Sequence, residues 1–165
     1  MRVRLERWGP GDFELLERLV GDPAMMEHLG GPESPEKIRE RQKRYEGTDT
    51  AFKVADEESG EGVGWVGYWE SDDAWEIGWA VVPEHQGKGI ASEATRLALE
   101  RVQQNGSCRF VHAFPDVNNE ASNAICRKLG FTLLGQIDGE YPPGQPRRFN
   151  DWRYDLEDEA PRMDP

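Results

Sequence analysis

The sequence predicts an α/β (α+β) domain with a mixed, mostly antiparallel sheet of six to seven strands and helices on both faces. Three strand-like segments follow one another in the middle of the chain, joined by turns of hairpin length. Two helical segments come after them, and each leads into a further strand-like segment. No repeat or linker divides the chain, so we expect one domain over residues 1–157 and an acidic, frayed tail over 158–165.

The first third of the chain predicts one strand and two helices. Residues 3–8 alternate in character and indicate a short strand. A helix with a leucine-rich apolar side opens near Asp12. Ser34 caps a second helix over residues 35–45, with proline at its first position. Because that helix carries five cationic residues and few apolar ones, we expect it to lie on the surface, at one edge of a cleft.

The remaining elements follow in order. Strands are predicted at residues 51–55, 63–70 and 74–82, with hairpin turns between them. A helix is then expected over residues 90–104, a strand over 108–114, a helix from residue 121, and a final pair of strands at 131–137 and 149–156. The Pro- and Gly-rich segment between the last two strands, 138–146, is predicted to be an irregular loop.

The composition excludes several classes of protein. The 165-residue chain is 32% charged and has a net charge of −12, whereas nucleic-acid binding needs basic patches. No apolar run reaches the ~18 residues that a membrane span needs, and the first residues lack the apolar core of a signal peptide. Cys108 and Cys126 are too few for a disulfide framework and suit a reducing cytoplasm. We therefore expect a cytoplasmic protein with neither a nucleic-acid nor a membrane partner.

The most informative segment runs from residue 79 to residue 91, Trp-Ala-Val-Val-Pro-Glu-His-Gln-Gly-Lys-Gly-Ile-Ala. It is typical of a strand end, a proline stop, a tight loop and a helix start. Gly87 and Gly89 have no side chain, so a ligand can lie against the backbone. The helix points its free N–H groups and its positive dipole end into this loop, and Lys88 adds a charge. Such a site holds a phosphate or pyrophosphate.

Three sequence patterns compete for this loop. A Walker-type loop needs glycine where Val82 stands and Ser or Thr where Gly89 stands, so it is excluded. A dinucleotide fingerprint needs a third glycine where Ser92 stands. The remaining pattern is Gln-x-x-Gly-x-Ala over residues 86–91, after an apolar strand. An ordinary strand-to-helix connection without a ligand stays open as the alternative.

A second motif occupies residues 118–131, Asn-Asn-Glu-Ala-Ser-Asn-Ala-Ile-Cys-Arg-Lys-Leu-Gly-Phe. Asn118 or Asn119 can cap a helix with an apolar stripe, and Gly130 can end it before a strand begins at Phe131. Alone, this is a capped amphipathic helix. In this order and at this distance, the two motifs resemble the acetyl-CoA pyrophosphate loop and the Asn-x-x-Ser helix of the GNAT N-acetyltransferase superfamily.

The resemblance covers most of the chain and implies a GNAT fold with acetyl-CoA as co-substrate. It implies direct transfer of the acetyl group to a primary amine while both substrates are bound. Three segments are implied in acetyl-CoA binding: the strand end (Ala80, Val81, Val82), the loop and helix start (Gln86, Gly87, Lys88, Gly89, Ile90, Ala91, Ser92) and the second-motif helix (Asn119, Ser122, Cys126). The family places a backbone oxyanion donor at the strand end, here Val81 or Val82, and Val82 is assigned as catalytic.

Glu76 is the candidate base, because an amine at neutral pH must lose a proton before it can attack. Period-two counting puts it on one strand face with Gly78 and Ala80, whose small size leaves room for an acceptor, and puts the strand's other large residues in the core. In some GNAT branches an acid at this position deprotonates the amine through water. An edge carboxylate paired with an arginine is an equal alternative, and Glu70, Asp72 and Glu140 are weaker competitors.

The chain departs from the family at Cys126, where much of the family has a tyrosine that acts as an acid. We expect Cys126 to be a small packing residue, since a thiol with a pKa of ~8.5 leaves without help; Ser122 or Tyr141 could substitute. The layout resembles the branch of ribosomal-protein N-terminal acetyltransferases, which also includes acetylators of small amines. A non-catalytic acyl-CoA sensor on the same fold is the competing function.

Other partners are predicted more coarsely. The three histidines, His28, His85 and His112, are far apart without ligand spacing, so no metal is expected. The acceptor is a small-molecule or peptide amine. A monomer or a homodimer is expected.

Overall fold

Seven strands form one sheet in the computed structural model, which describes residues 1–72 and 74–158. The strands lie in the order β1-β2-β3-β4-β5-β7-β6. Their bounds are β1 Val3–Arg7, β2 Ala51–Asp56, β3 Gly62–Ser71, β4 Ala74–Val81, β5 Phe110–Ala113, β6 Thr132–Glu140 and β7 Pro146–Asp155. Only β4 and β5 pair in parallel; the other neighbours are antiparallel. The predicted mixed sheet is confirmed.

Four α-helices accompany the sheet: α1 Phe13–Val20, α2 Pro35–Glu46, α3 Ile90–Asn105 and α4 Glu120–Leu129. Side-chain caps begin two of them, since the Ser34 hydroxyl accepts the Lys37 N–H at 3.3 Å and the Asn119 amide oxygen accepts the Ser122 N–H at 3.1 Å. Gly130 ends α4 in the left-handed conformation, with φ 89°. These boundaries agree with the sequence prediction to within a residue or two.

The two faces of the sheet carry separate cores, as predicted. One core joins the sheet to α3 and to α4, with Val102 and Cys126 fully buried in it. The other joins the sheet to α1 and α2. Helix α2 is less superficial than its composition suggests, because Ile38, Gln42 and Tyr45 are buried. The Gln42 side chain accepts the Trp8 indole N–H at 2.8 Å, which satisfies a buried donor.

The C-terminal hairpin corrects the sequence prediction. Pairing between β6 and β7 continues to Glu140 opposite Pro146, so the irregular loop predicted over 138–146 shrinks to 141–145. Asp138 and Arg148 pair across the added strand segment at 3.0 Å. Strand β5 is shorter than the predicted 108–114. Residues 159–165, most of the predicted tail, lie outside the described residues.

No helix within the described parts of the chain is both long and apolar enough to cross a bilayer.

Candidate active site

A large cleft opens where β4 and β5 separate. Strand β4 pairs with β3 along its whole length, from Ala74 to Val81. It pairs with β5 only at Trp75 and Glu76. Beyond Glu76 the two strands diverge, so the rest of this edge of β4 faces a wedge instead of a neighbouring strand. An edge of this kind offers backbone groups to an extended ligand.

The register of β3 and β4 decides which backbone groups face the wedge. The Val82 N–H donates to the Val63 carbonyl at 3.0 Å, so it is directed at β3. Because N–H groups alternate along an antiparallel strand, the N–H of Val81 points the other way, into the wedge. The Val81 carbonyl also faces that side, where the Gln86 side-chain amide donates to it at 3.0 Å.

This register argues against the prediction of Val82 as catalytic and as a cofactor contact. The Val82 N–H is already used within the sheet, and the residue is 0% exposed in the core beneath α1 and α2. Val81, the other residue left open by the sequence, has its N–H directed into the wedge. Ala80 and Val81 both line the cleft.

The loop after β4 has the geometry of an anion site. A 3₁₀ turn at Pro83–His85 leads into Gly87 and Gly89, whose φ angles are 74° and 78°. These left-handed conformations favour glycine, and nothing lies within 4 Å of where either side chain would start. The first N–H groups of α3, from Ile90 to Ser92, have no partner within the helix. The loop and helix start therefore form a concave set of N–H donors.

The charges near this loop differ from the sequence expectation in one respect. Lys88 is exposed and does not line the cleft, unlike the residues on either side of it. The cation that does line the cleft on this side is Lys128, at the end of α4. The acidic residue in the first turn of α3, Glu93, is paired with Arg96 at 2.7 Å.

Helix α4 forms the second wall of the wedge. Asn119 and Ser122 line the cleft, while Asn119 also caps the helix. Cys126 does not line it: the side chain is 0% exposed and packs in the core. Burial raises the pKa of its thiol to about 12. These facts argue against the prediction of Cys126 as a cofactor contact and favour the packing role.

The wedge continues into one cleft of about 1290 Å³ that crosses the sheet edge. One half lies between β4, α3 and α4. The other half, which we call the acceptor half, lies between β3–β4, the helices α1 and α2, and the β6–β7 turn. Gly30 and Pro142 touch above it, so closely that no side chain would fit at Gly30.

Aromatic rings line the acceptor half and contradict the prediction of open space above Gly78. Trp65 and Trp69 of β3 lie within 3.6 Å of where a Gly78 side chain would start. The space expected to be open above Gly78 is therefore filled by two indoles, stacked with centroids 6.5 Å apart. Tyr45 of α2 stacks on Trp65 at 5.2 Å. The acceptor half is bounded by a continuous aromatic surface.

Unsatisfied polar atoms concentrate in this cleft. Among the described residues, the buried side-chain nitrogens without a hydrogen-bond partner belong to Trp65, Trp79 and His85, and all three residues line it. Buried polar groups are nearly always paired in proteins. The two indole N–H groups are orphaned donors in one cleft, and they indicate that a ligand with hydrogen-bond acceptors belongs there.

Glu76 lies at the deepest point of the wedge, on the last residue pair that joins β4 to β5. It lines the cleft and is half-buried. Burial raises the pKa of its carboxyl, while a hydrogen bond from the Trp69 indole and the nearby His112 act in the opposite direction. Its large neighbours Trp75 and Ile77 belong to the opposite, core-facing side, in agreement with period-two counting.

Sequence reasoning missed one group beside Glu76. His112 of β5 is opposite Glu76 in the register, and its Nδ1 lies 2.6 Å from an Asp151 carboxylate oxygen on β7. The sequence spacing of the three histidines gave no reason to single this one out. Strand alternation over residues 110–113 could have placed His112 on the same sheet face as Glu76. Asp151, its partner on β7, is 39 residues away in the sequence and could not be found from local patterns. Across the described residues no cluster of His, Cys, Asp and Glu has metal-site geometry.

Comparison with known protein families agrees with this geometry. Residues 2–132 match the acetyltransferase (GNAT) domain. The chain belongs to the GNAT family. The resemblance inferred from the two motifs is thereby confirmed, and so is the fold class.

The GNAT chain has curated relatives over part of its length. It is 34% identical over 61 residues to the spermidine N(1)-acetyltransferase of Escherichia coli K12, a match that covers 37% of this chain and 33% of that protein. The chain thus matches about a third of the length of its curated relatives.

Solved structures of GNAT proteins share the fold over nearly the whole chain. A GNAT-family acetyltransferase from Bacillus anthracis aligns with a TM-score of 0.85 at 21% identity, covering 96% of this chain and 97% of that one. The spermidine N-acetyltransferase of Vibrio cholerae, in complex with CoA and spermine, gives 0.79 at 20%, covering 93% and 95%. The Salmonella typhimurium acetyltransferase that modifies the N-terminal serine of ribosomal protein L7/L12 gives 0.74 at 24%, covering 93% and 94%.

Proposed function

We propose that this GNAT protein is an acetyl-CoA-dependent N-acetyltransferase, and that its acceptor is a primary amine on an apolar or aromatic body. The observation that carries the proposal is the wedge between β4 and β5, which has an anion-binding loop at one end and a half-buried carboxylate at the other. A thioester with a phosphate-bearing tail and an amine acceptor match these two ends.

The binding half of the mechanism rests on backbone groups. The N–H groups from Gln86 to Ser92 bind a pyrophosphate, at a helix start where negative charge is favoured. The unpaired edge of β4 lies alongside an extended arm in the wedge. Acetyl-CoA, when bound, supplies an activated acyl group. The Val81 N–H is directed to where the acyl oxygen gains charge, and as a fixed backbone donor it needs no reorganisation.

Glu76 performs the proton transfer. A carboxylate with a raised pKa is a stronger base than an exposed glutamate, and it lies where the wedge meets the acceptor half. It takes a proton from the ammonium group of the acceptor and leaves a neutral amine that can attack. No acid is assigned to the leaving thiolate, since its thiol has a pKa of only ~8.5.

The chemistry of the acceptor half supports the acceptor class. Of the seven large hydrophobic side chains that are exposed among the described residues, four line this cleft: Leu29, Trp69, Ile137 and Tyr141. An exposed apolar rim of this kind marks a binding site. The charged residues near the rim are mixed: Glu140 and Arg44 line it, and so does Arg41, whose guanidinium is paired with Glu33. Among the described residues, Glu76, Asp116 and Glu140 are the carboxylates that line the cleft, and Asp116 is paired with Arg147, which leaves few for a polyamine with several positive charges.

A single assay tests both levels of the proposal. Purified protein is given acetyl-CoA and a panel of 2-phenylethylamine, hexylamine, spermidine and a serine-initiated peptide, and free thiol release is followed at pH 7.5. We expect kcat/KM for 2-phenylethylamine to exceed that for spermidine by about tenfold or more, since one well-buried aromatic contact is worth over 1 kcal/mol.

The outcomes separate the alternatives. A higher kcat/KM for spermidine or for the peptide than for 2-phenylethylamine would support the acetyltransferase activity but refute the proposed acceptor class. Binding of acetyl-CoA by calorimetry without thiol release for any amine would favour the acyl-CoA sensor. The cytoplasmic location and the oligomeric state, monomer or homodimer, remain predictions.

A further inference from the structure

A histidine stands directly behind the proposed base. His112 and Glu76 form the last register pair of β4 and β5, and both lie on the face opposite the core that holds Val111. His112 does not line the cleft, whereas Glu76 does. The imidazole is therefore beside the base and out of reach of the acceptor.

The imidazole is held in one orientation. Its Nδ1 lies 2.6 Å from the Asp151 carboxylate, and its ring stacks on Phe114 with centroids 5.6 Å apart and planes within 14°. A carboxylate partner assigns the proton of the neutral ring to Nδ1. The other nitrogen, Nε2, is then the one that can accept a proton.

The proposed reaction creates a need for such a group. An ammonium acceptor and a thioester give an amide, a thiol and one free proton, so one proton must leave Glu76 in every turnover. The mouth of the cleft is occupied by two substrates at that moment. The side chains of His112 and Asp151 are 20% and 21% exposed, so they reach solvent on a side that the substrates do not cover.

We propose that His112, oriented by Asp151, is a proton relay that accepts the proton from Glu76 and releases it to solvent. The relay rests on the proposed acetyltransferase function. In the forward step the O–H bond of protonated Glu76 breaks and an N–H bond forms at Nε2 of His112. The new N–H bond at Nε2 then breaks as the imidazolium gives that proton to water, while the Nδ1 proton stays beside Asp151, so the pair returns to its starting state.

The charges around His112 suit this role. Glu76 faces it from β4, Asp151 and Arg153 from β7. The Arg153 guanidinium lies over the Phe110 ring at 4.1 Å. Two carboxylates against one guanidinium favour a transient imidazolium.

Chemical rescue tests the relay. His112→Ala should lower kcat with the best amine about tenfold at pH 7 and leave the affinity for acetyl-CoA unchanged, and added imidazole should restore most of the loss, because a free base can take over the proton. Asp151→Asn should lower kcat similarly. Asp138→Asn, which removes an exposed carboxylate on the same hairpin, is the matched control and should behave as the parent.

A structural role for His112 predicts something else: a loss that imidazole does not restore. That result, or the absence of any loss in a folded His112→Ala protein, would overturn the relay. Thermal unfolding of each variant checks that it is folded, and His112→Gln replaces the alanine variant if it is not.

An NMR measurement separates failure of the relay from failure of the proposed function. If the parent releases no thiol with any amine, the proposed function is wrong. The His112 ring signals can still be compared at one pH in the parent and in Glu76→Gln. We expect them to shift in the variant, because the carboxylate that faces the ring from β4 is gone. Unchanged signals would show that the two groups do not interact, and would overturn the relay without any activity measurement.

Discussion

Replacing Glu76 with glutamine is the sharpest test of the proposed chemistry. Glutamine keeps the size of the side chain, and its amide oxygen can still accept the hydrogen bond that the Trp69 indole gives to Glu76. The change therefore removes basicity with little change in packing. The acetyl-CoA loop lies at the far end of β4 and is untouched, so acetyl-CoA affinity should stay nearly that of the parent.

The size of the effect follows from the protonation of the acceptor. An amine with a pKa near 10 is only about 0.1% neutral at pH 7, so an enzyme without a base must select a rare species. A positioned base typically contributes 10²- to 10⁴-fold. We expect Glu76→Gln to lower kcat/KM by ~10²-fold at pH 7, most of it in kcat.

The assay is thiol release across a pH range, with Glu140→Gln as the matched control. Glu140 is the other glutamate that lines the acceptor half, but it is exposed and lies on β6. Its substitution should leave kcat within a few-fold of the parent. A loss in both variants would indicate that general negative charge in the cleft, and not a base at Glu76, supports the reaction.

The pH dependence of activity is a second, independent test of Glu76 as the base. Burial raises the pKa of Glu76 in the folded protein, so the parent should lose activity as pH falls through a value above the usual carboxyl range. The glutamine variant should lack that limb, and its activity should rise with pH as neutral amine forms in solution. Parent-like turnover by Glu76→Gln at pH 7 would refute the reasoning and place the base elsewhere.

Three further predictions test the site. Gly89→Asp should weaken acetyl-CoA binding at least tenfold by calorimetry, about 1.4 kcal/mol. Gly106→Asp, with the same left-handed backbone at the other end of α3, is the control and should not weaken it. Equal affinity in the two variants would show that the loop is not part of the acetyl-CoA site. Cys126→Ala should cost about 1 kcal/mol in denaturant unfolding and keep turnover within a few-fold, and a loss of ~10²-fold would instead make the thiol an acid. The folded protein raises the pKa of Glu76, so the contribution of this carboxyl to stability is full below its unfolded pKa and is lost as pH rises through its folded pKa. The difference in melting temperature, parent minus Glu76→Gln, should therefore be larger at pH 4 than at pH 7.

The sequence predicted well those features that local chemistry determines. The hairpins of β2, β3 and β4, the capped helices and the glycine loop each depend on residues close together in the chain. The two glycines of the loop have the left-handed φ angles that favour glycine. Local patterns of this kind can be interpreted without knowledge of tertiary contacts.

The sequence could not choose between Val81 and Val82 because side-chain alternation does not give the direction of backbone N–H groups. That direction depends on the register with β3, where Val82 is opposite Val63. The same limit explains Gly78. Its lack of a side chain suggested open space, yet two tryptophans of the neighbouring strand fill it. In both cases the missing information was the identity of the cross-strand partner.

The wedge itself could not be predicted from local patterns, because it results from the lack of pairing between β5 and most of β4. Residues 108–114 suggested a longer strand, but β5 spans Phe110–Ala113 and meets β4 at only two residues. Pro115 and Asp116 follow closely, and their carbonyls bond to Asn150 and to the buried Asn123 of α4, which turns the chain away from β4. The opening between the strands is thus stabilised by a polar contact with the second-motif helix. The two motifs that resemble the GNAT family are joined through this contact: one forms the glycine loop that we propose binds the anion, and the other keeps the sheet open beside it.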